Sequence, residues 1–91
     1  MKRAIVTVLG KDKVGIIATV SACLSELSIN ILDITQTVMD ETIFVMLMLV
    51  DMEQATISFH DIKEALARLG EQQHVSIRLQ SEELFDAMHK I

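Results

Sequence analysis

The densest concentration of residues able to do chemistry is the run Gly10, Lys11, Asp12, Lys13, Val14, Gly15, where two cations, a carboxylate and two glycines follow an aliphatic stretch. Three readings fit these residue types. Gly15 opens a helix without a Cβ, so a ligand can approach the backbone closely. The free N–H groups and positive dipole end of the first turn then suit a carboxylate. An enzyme of the acylphosphatase type would instead use Lys11 and Lys13 to hold a phosphate and stabilise its developing charge. The third reading is structural: Asp12 caps the helix by accepting from its unpaired N–H groups, and Gly15 is a tight entry and nothing more. Spacing alone does not separate binding from capping.

The remaining reactive types are scattered. Cys23 is the single cysteine, so no disulfide forms within the chain. It shares a helical face with Ile16, Val20 and Leu27, the setting of a small buried hydrophobe rather than a nucleophile. His60, His74 and His89 fall on three different elements with no ligand spacing, which points to solvated side chains and no metal site. Met39, Met46, Met48 and Met52 are expected to fill a core or an interface.

The elements that position these residues can be read from hydrophobic spacing. With 91 residues, 51 % of them apolar, the chain is expected to form one domain, residues 1–91, with a folded core. Arg3 to Leu9 reads as a strand stopped by Gly10. Ile17, Val20, Leu24 and Leu27 fall on one face of a helix running from Lys13 to Leu27. Asn30 to Met39 alternates as a second strand, with Leu32, Ile34 and Val38 on one side and Asp33, Thr35 and Thr37 on the other. Thr42 to Val50 is apolar at both parities, which places this third strand centrally, with cover needed on both faces. Ile57, Ser58, Asp61 and Ile62 form a hydrophobic staple around a serine cap. They start a second helix whose face is Phe59, Ile62, Leu66 and Leu69, with Gly70 just past its end. Val75, Ile77 and Leu79 alternate in a fourth strand wet on one side, and Ser81 opens a short amphipathic C-terminal helix over about residues 81–91. The order predicts an α+β, ferredoxin-like βαββαβ sandwich with an antiparallel sheet of order 4-1-3-2 and both helices on one face.

Function has to be argued from the site, because this plan hosts many activities. A net charge of −5 disfavours direct nucleic-acid binding. An RNA-binding version would also need exposed aromatics on the central strands, where only Phe44 is present. A metal carrier would need two cysteines near the first loop. The apolar run from Ile43 to Val50 is far too short to span a bilayer, and no secretory leader opens the sequence, so a cytoplasmic location without a membrane segment is expected.

The segment VTVLGKDKVGIIATVSACLSELSINILDI, a strand ending in G-x-D-x-x-G, a helix, and Asn-Ile opening the next strand, resembles an ACT domain. The similarity is to stand-alone members and to the N-terminal part of the glycine cleavage repressor, and the tail LFDAMHKI looks like the small single-domain branch. That resemblance implies a regulatory module with no catalytic residues and no cofactor, which binds an amino acid or small carboxylate. It places Asp12, Val14, Gly15 and Ile16 along the ligand site, with Asn30 and Ile31 contributing across a subunit boundary. One departure is Ser28, where the family more often has glycine; a serine at positive φ costs on the order of 1 kcal/mol. Asn30 also has a structural reading, as a turn residue. Because two helices cover one face of the third strand only, the other face needs the C-terminal helix or a second subunit. A symmetric homodimer is expected, which brings Gly15 of one chain near Asn30 of the other. The implied partners are a metabolic enzyme or regulator; the competing function is a protein-interaction adaptor with an empty first loop.

Overall fold

The computed structural model describes residues 2–11, 15–39 and 42–83. Within them the chain forms β1 (Arg3–Lys11), α1 (Ile16–Glu26), β2 (Asn30–Met39), β3 (Ile43–Asp51), α2 (Phe59–Gln73) and β4 (Ser76–Ser81). Neighbouring strands are antiparallel in the order β2-β3-β1-β4, the expected order read from the opposite edge. β1 and β3 are therefore central and β2 and β4 are edges. The expected C-terminal helix falls almost wholly on residues 84–91, outside the described residues.

Strand alternation sends Ala4, Val6 and Val8 of β1, Phe44, Met46, Met48 and Val50 of β3, and Ile77 and Leu79 of β4 to one face. There they pack with Ile16, Val20 and Leu24 of α1 and Ile62 and Leu66 of α2 in one core. Each of the Val, Leu, Ile, Phe and Met side chains contributes about 1.5–3 kcal/mol on full burial, which is why the 3.6-residue and two-residue periods lock together. Met46, Met48 and Met52 are in this core, whereas Met39 lies exposed at the end of the edge strand. Among the described residues no polar or charged side chain is buried.

Both described helices end in the same way. After α1, the N–H of Ser28 donates to the Ser25 carbonyl at 3.0 Å and that of Ile29 to the Leu24 carbonyl at 2.9 Å, with Ser28 at φ 60°. After α2, His74 at φ 59° donates to Glu71 at 3.3 Å and Val75 to Gly70 at 2.9 Å. These paired bonds satisfy the last carbonyls of each helix through a left-handed residue. The positive φ expected at Ser28 is present. Gly70, expected past the end of α2, instead lies inside it and is buried. A Cβ there would stand 2.7 Å from the Val75 carbonyl oxygen, so the glycine serves the close return of the chain into β4.

Three further expectations change. α1 begins at Ile16 rather than Lys13, because its N-cap is Gly15 at φ 85°. The N-cap is thus a residue with no side chain, and Asp12, the expected capping residue, lies outside the described residues. Leu32 does not simply join Ile34 and Val38, since the ladder with β3 shifts between Ile31 and Asp33 and leaves Leu32 as the extra residue of a bulge. Phe59 is at the rim of the α2 face and exposed, while Ser58 caps α2 as expected, its Oγ accepting from the Asp61 N–H at 3.2 Å. Among the described residues, no helix is long and apolar enough to cross a membrane.

Candidate functional site

Gly15 stands at the exposed mouth of α1. Its φ of 85° is a conformation L side chains rarely adopt, and among the described residues none but its chain neighbour comes within 4 Å of where a Cβ would be. The positive φ favours a residue without a side chain at this position. The Gly15 carbonyl is used inward, accepting from the Thr19 N–H and the Thr19 hydroxyl, each at 3.0 Å. The residues one turn before Ile16, Ile17 and Ala18 lie outside the described residues, and a first helical turn is where backbone N–H groups can receive an anion. Ile16 itself is buried, its side chain in the core and its backbone at the helix mouth. Asp12 and Val14 lie outside the described residues, as does Lys13 of the phosphate-handling alternative; Lys11 ends β1 exposed.

Asn30 and Ile31 open β2 at the other end of α1. Asn30 is exposed and Ile31 half-buried. They line a groove of about 490 Å³ with Ser21, Ser25, Ser28 and Ile29. The hydroxyls of this wall recur along α1 at i, i+4 and i+7, a polar stripe whose signal was present in the spacing and which the sequence reading did not single out.

The structure keeps the two halves of the expected site apart within one chain. α1 has 11 residues and so is about 16 Å long, with Gly15 before its first turn and Asn30 beyond its last. The sheet register says the same: Lys11 and Met39 both pair with Ile43 at one end, whereas Asn30 pairs with Asp51, which pairs with Arg3, at the other.

Cys23 is half-buried against the core and lines a groove between the helices with Glu26, Arg68 and Leu69. Burial pushes its thiol pKa up, and the Glu26 carboxylate adds to the rise. That is the opposite of an activated nucleophile. His60 is exposed beside Glu64 at 3.3 Å, one helical turn away, and no group of metal-binding side chains occurs among the described residues. His89 lies outside them.

Comparison with known proteins gives three findings. A family model described as the ACT domain matches residues 2–80. A UPF0237 protein of Listeria monocytogenes is 52 % identical over 89 residues, covering 98 % of this chain and 99 % of that one. Among solved structures, an ACT domain protein from Streptococcus pneumoniae superposes with a TM-score of 0.81 at 41 % identity, covering 97 % of this chain and 98 % of that one. A provisionally assigned glycine cleavage system transcriptional repressor shares the fold at a TM-score of 0.73 and 21 % identity, with 88 % of this chain matching 45 % of that one.

Proposed function

The chain belongs to the ACT domain family, and from that premise we propose that it is a cytoplasmic regulatory module that binds an amino acid or small carboxylate as a homodimer and passes the signal to a metabolic enzyme or regulator. The observation that carries this reading is Gly15, held at φ 85° with open space above it, which presents first-turn N–H groups to a ligand carboxylate. Nothing in this role requires turnover. Its signal is a change of population or shape, not a product.

The separation of Gly15 from Asn30 supports the dimer. β2 is a 10-residue edge strand exposed along nearly its whole length, with Ile34, Val38 and Met39 open to solvent and no Lys, Gly or Pro to blunt it. Pairing β2 with β2 of a second copy about a two-fold axis runs the strands antiparallel. The Asn30 end of one chain then lies beside the Met39 end of the other, near its helix mouth. Gly15 and Ile16 of one chain, with Asp12 and Val14, and Asn30 and Ile31 of the other then make two equivalent sites.

A thermal-shift screen of the twenty amino acids tests the reading. A ligand that prefers the folded dimer adds about 2.7 kcal/mol of stability at a hundredfold excess over Kd. The wild type is expected to respond to at least one amino acid or simple carboxylate. Gly15→Leu, which fills the open space, and Asn30→Ala, on the far side of the subunit boundary, should each lose the response. Cys23→Ala should keep its specificity. Absence of any shift at millimolar ligand, with a protein partner captured equally with and without amino acids, establishes the adaptor instead.

A further inference from the structure

The face of the sheet turned away from α1 and α2 has its own pattern. On β3 it presents Ile43, Val45, Leu47 and Leu49, and on β1 Ile5, Thr7 and Leu9. On the edges it turns polar: Thr35 and Thr37 of β2 oppose Leu47 and Val45, while Ser76, Arg78 and Gln80 of β4 oppose Leu9, Thr7 and Ile5. The result is an apolar stripe about two strands wide, roughly 10 Å, between polar margins. That width matches one helix, about 10–12 Å across with its side chains. A second sheet laid face to face would instead bury the polar margins as well. No described element packs on this stripe.

The chain leaves β4 on the same side. Arg3 alternates with buried Ala4 and so belongs to this face, and its guanidinium holds the Glu82 carboxylate through Nε to Oε1 at 3.0 Å and Nη2 to Oε2 at 2.6 Å. This ion pair holds Glu82 on the stripe's side of the sheet. Residues 84–91 carry Leu84, Phe85, Met88 and Ile91 at i, i+1, i+4 and i+7, one face of a helix. Eight residues in helical form span about 12 Å, enough to pass from β4 across β1 to β3. The rim nearest the exit bears Arg3 and Arg78, opposite in sign to Glu82, Glu83 and Asp86.

We propose that residues 84–91 of the same chain dock as a single amphipathic turn-and-a-half to two turns of helix on the Ile5–Val45–Leu47–Leu49 stripe and close the second face of the sheet. A covalently attached segment meets the stripe at high effective concentration, which favours it over a free partner. The sheet faces are then both covered within one chain, and the β2 edge is left as the surface for association.

The full-length chain, uniformly carbon-13 labelled, is mixed with an excess of unlabelled chain, and contacts between labelled protons are read by NMR. Nuclear Overhauser contacts from the Phe85 ring to the methyls of Val45 and Leu47 should persist at full strength per labelled chain. Their absence overturns the proposal, and so does their fading on dilution with unlabelled chain, which assigns the cover to a second copy. Phe85→Asp should lower Tm by at least about 4 °C, the shift that a loss of 1 kcal/mol produces in a domain of this size, and should raise the binding of a hydrophobic dye. An unchanged Tm and unchanged dye binding overturn it as well.

Discussion

At the scale of single residues, one glycine and one cysteine show how sign is decided by surroundings. Glycine inside a helix normally costs about 1 kcal/mol against alanine, so Gly70→Ala would stabilise an isolated α2. Here the added Cβ meets the Val75 carbonyl oxygen at 2.7 Å and Ile77 at 3.3 Å, and neither can yield without moving β4. Gly70→Ala is therefore expected to destabilise the protein by about 1–3 kcal/mol, read from the midpoint of urea unfolding. The sequence showed a glycine near a helix end and suggested a cap; only the packed return of the chain shows a contact glycine. Cys23 makes the complementary case. Because burial first and Glu26 second raise its pKa, the native thiol stays protonated to higher pH than the unfolded one. Iodoacetamide should react more slowly with native than with urea-unfolded protein at mildly alkaline pH. The same shift leaves stability untouched below the ordinary thiol pKa and lowers it as pH rises above, since the unfolded chain ionises first.

At the scale of elements, β2 carries the argument. Its alternation was legible, and its bounds, Asn30 to Met39, follow from the run itself. The bulge at Leu32 was not legible, because an extra residue changes which partner each side chain faces without changing the side chains. Nor does alternation say that a strand sits at an edge with both faces wet; that depends on where the helices land. Beyond the Ile29–Ile31 end, where it meets α1, β2 is left uncovered, and Ile34 and Val38 stay exposed on its helix side. A single charge there acts as edge protection does in natural sheets. Val38→Lys is expected to leave the monomer fold intact by circular dichroism and to weaken self-association at least tenfold by sedimentation. Retention of wild-type association would move the interface away from β2.

At the scale of the whole molecule, folding and association are expected to be linked. A homodimer gains stability with protein concentration, so Tm should fall measurably across a hundredfold dilution series, and an amino-acid ligand bound across the boundary should flatten that dependence. A concentration-independent Tm would mean that one chain is stable alone. The sequence by itself determined the element order, the strand parities, the Ser58 cap and the sheet order, because each rests on local periodicity, turn chemistry or the handedness of short connections. It also singled out Gly15 as a bare helix mouth. Only the tertiary structure decided the bulge at Leu32 and the polar edges that frame the apolar stripe on the far side of the sheet. Those facts depend on which strands become neighbours and in what register. Pairings between residues far apart in the chain set them, and no window of sequence contains both partners.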